Sequence, residues 1–210
     1  MYYKGSMALQ FVKGLGERVA KLGVLPGTFN PPTRAHLALG RAALAHCDEI
    51  LFVLPRALPH KDFQGVGFEA RLRLLRTAVA DEARFAAAAS DGGLFLEIAR
   101  ECRDAYGAET EIALLCGRDA AERIVEWKYE REGMLEEMFE QFSLLVARRQ
   151  GEYVPPAHVV DYVQCLELEE EWDRVSATEV RERIAAGADW RGLVPEGIAD
   201  EVARVYGRVG

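Results

Sequence analysis

Long apolar runs and paired cysteines are missing from this sequence of 210 residues. The longest strongly apolar run covers residues 50–54. It is too short to cross a bilayer, because a membrane-spanning helix needs about 20 apolar residues. The amino terminus has no apolar segment of the kind that a secretory signal requires, so we expect a cytoplasmic protein without membrane contact. A reducing compartment suits the cysteines, because they form no C-x-x-C pair and lie scattered at positions 47, 102, 116 and 165.

Basic residues are too few to balance the acidic ones. The 26 lysines and arginines face 34 aspartates and glutamates, which gives a net charge of −8. Proteins that bind nucleic acid carry a basic face, so we expect no nucleic-acid partner here. A small phosphate ligand stays compatible with this charge, because a few local cations and a helix terminus dominate the field in a narrow cleft.

Several well-known catalytic motifs are also missing. The sequence contains no G-x-x-x-x-G-K-[ST], which disfavours a P-loop kinase or ATPase, and no G-x-S-x-G, which disfavours an α/β-hydrolase. It contains no H-E-x-x-H, Cys/His cluster or calcium loop, so we expect no metal site built by the protein alone.

Apolar runs alternate with helical periodicity from residue 19 onward, which predicts an α/β fold. The predicted strands cover residues 19–25, 50–54, 84–88, 111–115, 142–147 and 163–168. The predicted helices are one ending near residue 46, followed by 68–80, 94–106, 118–129, 132–141, 176–186 and 195–206. Strands separated by helices imply an open parallel sheet with helices on both faces, and ligands then bind beyond the carboxyl ends of the strands. We expect one domain over residues 19–210, preceded by an extension of unassigned role over residues 1–18.

One stretch joins a strand end, a glycine turn, two prolines and the start of a helix. It covers residues 23–36, with the sequence GVLPGTFNPPTRAH. Small turn residues let backbone N–H groups approach a ligand closely, and the positive end of the following helix dipole points at it. Thr33 and His36 lie three residues apart, so their side chains share one face of the first helical turn. The pattern predicts an anion site with a titratable donor, most simply for a nucleotide phosphate.

Two motifs at opposite ends of the chain carry a resemblance to a known family. Residues 27–36 resemble the signature G-x-F-[DN]-P-x-[HT]-x-G-H of the nucleotidyltransferase superfamily, whose members transfer AMP or CMP between phosphates. Residues 176–181, SATEVR, are similar to its second motif, S-[ST]-T-x-x-R. Weaker landmarks between the motifs are similar to bacterial nicotinate-mononucleotide adenylyltransferases, namely residues 59–61 (PHK), Arg71, residues 117–119 (GRD) and Trp127. The resemblance extends over about residues 22–207 and implies a Rossmann-like, three-layer α/β/α nucleotidyltransferase fold.

The resemblance also implies a reaction and a set of site residues. The reaction is adenylyl transfer from ATP to nicotinate or nicotinamide mononucleotide, which yields a dinucleotide for NAD biosynthesis and pyrophosphate. It implies catalytic roles for His36, Lys61 and Arg181, and mononucleotide contacts for Asn30, Lys61 and Trp127. ATP contacts are implied for residues of the two motifs and of the strand end between them: Gly27, Thr28, Phe29, Thr33, His36, Gly117, Asp119, Ser176, Thr178 and Arg181. The helical part over about residues 176–210 would complete the ATP site, and Mg²⁺ would arrive with the triphosphate.

Each of these side chains also has a purely structural interpretation. His36 fits an ordinary surface or core position, Trp127 fits a core position, and Thr33 fits a helix N-cap. Asp119 suits the first turn of a helix for electrostatic reasons. A capping box accounts for residues 176–179, and Lys61 fits a solvated loop.

Two departures from the signatures keep other functions open. Ala35 stands where glycine is usual, and Ala177 stands where serine or threonine is usual. They motivate the alternative of a nucleotide-binding regulator that has kept the fold but lost catalysis. A second alternative is a superfamily transferase that acts on pantetheine phosphate or glycerol phosphate. The sequence leaves open the choice between the two pyridine mononucleotides and the formation of a homo-oligomer.

Overall fold

The computed structural model describes residues 9–14, 19–57, 65–148 and 153–207. Its strands are β1 (Gln10–Lys13), β2 (Lys21–Pro26), β3 (Glu49–Pro55), β4 (Phe85–Ser90), β5 (Glu111–Gly117), β6 (Ser143–Ala147) and β7 (Val163–Leu166). Its α-helices are α1 (Arg34–Ala43), α2 (Phe68–Ala78), α3 (Phe95–Tyr106), α4 (Arg118–Val125), α5 (Met134–Phe139), α6 (Glu170–Asp173), α7 (Ala177–Ala185) and α8 (Ala199–Tyr206). Short 3₁₀ turns cover Val160–Tyr162, Arg191–Leu193 and Glu196–Ile198.

The strands form one sheet in the order β1-β4-β3-β2-β5-β6-β7. All neighbouring pairs are parallel except β1 and β4, which are antiparallel. From β2 the chain builds outward through β3 and β4, and it then returns to the other side of β2 to build β5, β6 and β7. The direction of winding therefore reverses between β2 and β5, and in doubly wound sheets ligands bind at the carboxyl ends of the strands at such a switch point.

Two apolar clusters cover the two faces of the sheet, because successive strand residues point to opposite sides. On one face, α1 and α2 pack on residues such as Phe52, Leu54 and Leu115. On the other face, α3, α4 and α5 pack on residues such as Val24 and Leu114. The expected three-layer α/β/α arrangement is confirmed.

A third cluster joins the carboxyl-terminal helices to the outer side of α2. It contains Leu74 and Ala78 of α2, Val180 of α7 and Val202 of α8. The helix α2 therefore contacts the sheet on one side and the end of the chain on the other.

The sequence-based predictions need one correction. Residues 10–13, within the amino-terminal extension, form strand β1 and add an antiparallel edge to a sheet that was expected to be wholly parallel. Glu167 and Glu171 are exposed, and the chain makes the single turn α6 over Glu170–Asp173. Within the described parts of the chain, no helix has the length and apolarity needed to cross a bilayer.

Candidate active site

The turn between β2 and α1 lies at the switch point of the sheet. It begins after Pro26 at the carboxyl end of β2, which pairs with β3 on one side and β5 on the other. The amide of Gly27 donates to the carbonyl of Val53 in β3 at 3.0 Å, so the turn starts from a fixed position. The first motif of the sequence therefore occupies the place where this fold binds ligands.

Phe29 anchors the turn from inside. Its side chain is fully buried, and its ring centroid lies 5.1 Å from that of His36 in an edge-on arrangement. Its φ of 43° belongs to the left-handed region, which side chains adopt at a cost in free energy. A Cβ on Gly27 would come within 3.1 Å of the Phe29 ring, so only glycine lets the chain cross the ring this closely. The turn is held in a strained shape by a buried aromatic side chain.

The hydrogen bonds of His36 define which ring nitrogen carries the proton. His36 is the third residue of α1, and Thr33 is the N-cap. The backbone N–H of Thr33 donates to Nδ1 of His36 at 3.0 Å, and the Thr33 hydroxyl oxygen lies 2.7 Å from the same atom. Because Nδ1 accepts, the neutral ring carries its proton on Nε2, which is then the donor. Thr33 itself is fully buried, so the structure places its side chain against the histidine.

Two arginines hold the carbonyl groups of the turn. Arg71 of α2 donates through Nη1 to the Thr28 carbonyl at 2.7 Å and through Nε to the Val66 carbonyl at 3.0 Å. Arg181 of α7 donates through Nη1 to the Asn30 carbonyl at 2.6 Å. In a trans peptide the C=O and N–H groups point in opposite directions. Because Arg71 binds the Thr28 carbonyl, the N–H of Phe29 in the same peptide group points away from Arg71. Burial lowers the pKa of Arg71, which is only 4% exposed.

The end of the chain adds a further contact to the same turn. The hydroxyl of Tyr206 in α8 donates to Oδ1 of Asn30 at 2.7 Å. Both side chains are buried, and burial raises the pKa of Tyr206. Asn30 was predicted to contact the mononucleotide; the structure places its side chain in the interior, where it binds α8.

The second motif starts α7 beside the first. The Ser176 hydroxyl is the N-cap and accepts from the N–H of Glu179 at 3.1 Å. The Glu179 carboxylate pairs with Arg183 at 2.6 Å. Arg181 also donates to the exposed hydroxyl of Thr178 at 3.1 Å. These bonds of Arg181 engage two of the five N–H groups that a guanidinium carries. The contact between Arg181 and Asn30 confirms that the two motifs come together, while their ligand contacts stay predictions.

The carboxyl end of β5 lies beside that of β2 and forms the other side of the switch point. Gly117 ends β5 and is the N-cap of α4, with open space where a Cβ would stand. The Asp119 side chain in the first turn of α4 is 86% exposed. Trp127, just after α4, is 59% exposed, so the core interpretation of this tryptophan is wrong. Lys61, with the rest of residues 59–61, lies outside the described residues.

Sequence reasoning missed the structural importance of Arg71 and Tyr206. A signal was present in each case. Arg71 stands in the apolar stripe of α2 with Leu74, Leu75 and Ala78, and Tyr206 continues the buried stripe of α8. A charged or hydroxylated residue in such a stripe must find polar partners, because burial without them is costly. The sequence did not reveal that both partners lie in the turn after β2.

The described residues contain no group of three or more histidine, cysteine, aspartate or glutamate side chains arranged to hold a metal ion.

Comparison with known proteins gives consistent results. A model of the family described as cytidylyltransferase-like matches residues 24–183. A probable nicotinate-nucleotide adenylyltransferase of Syntrophotalea carbinolica is 29% identical, with 88% of this chain and 95% of that protein covered. A protein of the same description from Gloeobacter violaceus is also 29% identical, over 90% of this chain and 94% of its own.

A solved structure has a similar fold. It is the nicotinic acid mononucleotide adenylyltransferase of Plasmodium falciparum complexed with APC, which superposes with a TM-score of 0.67 at 13% identity. The superposition covers 89% of this chain and 97% of that one. The same enzyme complexed with NaAD superposes with a TM-score of 0.65.

The bond between Tyr206 and Asn30 predicts a measurable stability effect. The variant Tyr206→Phe removes the donor of a buried carbonyl oxygen, so we expect the free energy of unfolding to fall by about 1–3 kcal/mol. Tyr129→Phe is the matched control, because the half-buried Tyr129 hydroxyl donates to the Ile124 carbonyl away from the turn, at 2.8 Å. Urea denaturation of both variants measures the difference. Equal stability of Tyr206→Phe and the unmodified protein would contradict this account of the turn.

Proposed function

This chain belongs to the cytidylyltransferase-like family, and we propose that it transfers the adenylyl group of ATP to nicotinate mononucleotide. The products are the dinucleotide and pyrophosphate, as a step of NAD biosynthesis. The relatives described as nicotinate-nucleotide adenylyltransferases support this assignment, because they align over most of this chain and of their own length.

One contact supports the proposal more than any other. Arg181 donates to the carbonyl of Asn30 at 2.6 Å, across a sequence separation of 151 residues. It brings the start of α7 against the turn that leads into α1. Two helix amino termini, a histidine and a guanidinium then lie at one switch point. This is the combination that a polyphosphate chain requires.

The chemistry is an in-line displacement at phosphorus. An oxygen of the mononucleotide 5′-phosphate forms a bond to the α-phosphorus of ATP, and the bond from that phosphorus to the bridging oxygen of the β-phosphate breaks. The electron pair leaves with pyrophosphate. The attacking phosphate is already an anion, so no base is needed. Holding both reactants in line lowers the activation barrier by about 7–11 kcal/mol.

The donors of the site act on the charge that develops during this step. His36 donates through Nε2 to the phosphate oxygens, because its Nδ1 accepts from Thr33. Arg181 donates to the β- and γ-phosphates with the N–H groups that do not bind Asn30 and Thr178. The Ser176 and Thr178 hydroxyls and the backbone of residues 27–29 assist in ATP binding. Lys61 is proposed as a further cation on the transferred phosphate.

The α4 side of the site is proposed to bind the sugar and base portions. Gly117 leaves room for a ribose or adenine, and the exposed Asp119 carboxylate accepts from hydroxyl or amino groups. Trp127 offers an exposed ring on which the pyridine of the mononucleotide stacks.

The nucleotide substrate is proposed to be the Mg²⁺ complex of ATP. The described residues supply single carboxylates such as Asp119 and no three-residue ligand cluster. This donor set fits a cation that is held mainly by phosphate oxygens and water, with Asp119 as a water-mediated contact. The bound cation neutralises phosphate charge.

A reducing compartment such as the cytoplasm is proposed as the site of action. All four cysteines are free thiols, and burial raises the pKa of Cys47 to about 11 and that of Cys116 to about 12. Buried thiols with a raised pKa are inert and need no disulfide partner.

The proposed function is tested by pyrophosphate release with a panel of acceptors. The panel contains nicotinate mononucleotide, nicotinamide mononucleotide, phosphopantetheine and glycerol phosphate, each with ATP and with CTP. We expect turnover with ATP and nicotinate mononucleotide, together with formation of the dinucleotide. Turnover only with another acceptor would assign the chain to a different transferase. ATP binding by calorimetry without turnover for any acceptor would make it a regulator.

The role of His36 predicts a separation of kinetic constants. His36→Ala removes a donor that acts mainly on the departing pyrophosphate, so we expect kcat to fall by about 100-fold, while KM for ATP rises by less than about threefold. His46→Ala is the matched control, because the His46 ring contacts Gln164 rather than the turn, and it should keep the unmodified kcat. Unchanged turnover of His36→Ala would remove this residue from the mechanism.

The burial of Ala35 predicts that its replacement by glycine changes the stability of the protein but not KM for ATP. Its side chain is 6% exposed, so its methyl group lies against protein rather than in the cleft. We expect Ala35→Gly to lower the free energy of unfolding by about 0.5–1 kcal/mol, while KM for ATP stays within about twofold. The buried Ala43, at the end of the same helix, provides the control variant Ala43→Gly. A clear fall in KM for Ala35→Gly alone would mean that the methyl group crowds the phosphate.

A further inference from the structure

Strand β1 precedes the part of the chain that the family model matches, which begins at residue 24. It pairs with β4 at the edge of the sheet, with a shift of register between Phe11 and Lys13. An added edge strand protects a sheet from unwanted pairing, and this is the simplest role that β1 could have. The side chains of Gln10 and Lys13 make contacts that go beyond that role.

Lys13 holds the carboxyl end of α2. Its ammonium group donates to the carbonyl of Val79, the C-cap residue, at 2.6 Å and also to the carbonyl of Glu82. The last carbonyl groups of a helix lack partners within the helix and carry a partial negative charge. A cation from β1 therefore stabilises this end of α2.

Gln10 acts at the opposite end of α2 through Arg56. Its Oε1 accepts from Nη2 of Arg56 at 2.6 Å. The Arg56 guanidinium lies 4.4 Å from the ring centroid of Phe68, the first residue of α2, and 3.4 Å from a carboxylate oxygen of Asp91. Gln10 thus restrains a cation that packs on the first side chain of the helix.

The same aromatic ring leads to the turn after β2. The Arg71 guanidinium lies 5.8 Å from the Phe68 ring centroid. Arg71 also donates to the Thr28 carbonyl at 2.7 Å. A continuous series of contacts therefore runs from Gln10 through Arg56, Phe68 and Arg71 to the turn.

We propose that Gln10 and Lys13 are positioning residues for the phosphate-binding turn, acting by fixing the two ends of α2 so that Arg71 holds Thr28. This inference rests on the proposed function for its kinetic test. Neither residue touches substrate. The amino-terminal strand is thus part of the machinery that keeps residues 27–30 in their binding geometry.

The test uses variants of the full chain. Gln10→Ala and Arg56→Ala should each lower kcat/KM for ATP by about three- to tenfold, the effect expected for removing one link of a packed network. The two effects should not add in the double variant, because both break the same link. Gln10→Glu keeps the acceptor oxygen and should restore kcat/KM.

Phe11→Leu is the control for a purely structural edge strand. Phe11 lies on the same strand but packs against Tyr106 and the cluster under α3. It should lower the melting temperature and leave kcat/KM unchanged. If Gln10→Ala lowers only the melting temperature, as Phe11→Leu does, the proposal is overturned. Additive effects of Gln10→Ala and Arg56→Ala overturn it as well.

Hydrogen exchange provides a readout that does not require activity. Gln10→Ala should speed exchange of the Gly27 amide, which donates to the Val53 carbonyl, by about three- to tenfold, and Phe11→Leu should leave it unchanged. If the unmodified protein forms no dinucleotide while this exchange difference is present, the proposed function fails and the positioning role stands. If it forms dinucleotide and Gln10→Ala alters neither exchange nor kcat/KM, the positioning role fails and the function stands.

Discussion

The structure of the site depends on two guanidinium groups that hold the carbonyl oxygens of one turn. Arg71 binds the Thr28 carbonyl from α2, and Arg181 binds the Asn30 carbonyl from α7. Hydrogen bonds from a charged donor are about twice as strong as neutral ones, and they offset the strain of the left-handed residue between them, Phe29. Because Arg71 binds the Thr28 carbonyl, the N–H of Phe29 in the same peptide points to the opposite side of the turn. The two guanidinium groups thus fix the shape of the turn that is proposed to bind phosphate.

The helix α2 connects the parts of the molecule that this turn requires. One side packs on the sheet, and the other packs on α7 and α8, which carry Arg181 and Tyr206. Its amino end holds Arg71, and its carboxyl end is stabilised by Lys13. A displacement of α2 would therefore move both arginines together, so the geometry of the site is sensitive to the packing of this helix. From the sequence, its residue Arg71 was only a weak landmark.

Much of the fold was predictable because its strands are buried on both faces. The run at residues 50–54 and the alternation of strands with helices were sufficient to predict the parallel sheet and the two helical layers. Strand β1 was not predicted, because a four-residue edge strand with half-exposed side chains gives no continuous apolar run. The meeting of the two motifs followed from their resemblance, but the partners of Asn30 did not. Tyr206 lies 176 residues away in sequence, and no local pattern encodes such a contact. Lys61, outside the described residues, stays a prediction.

The contact between Tyr206 and Asn30 also affects when the turn after β2 is fixed in place during protein synthesis. The turn leaves the ribosome before the residues that hold it, because Arg181 and Tyr206 lie 151 and 176 residues after Asn30. A nascent chain that has formed most of its sheet still lacks both the arginine and the tyrosine that hold Asn30. A chain that ends before α7 would therefore lack the two contacts from Arg181 and Tyr206 that hold Asn30.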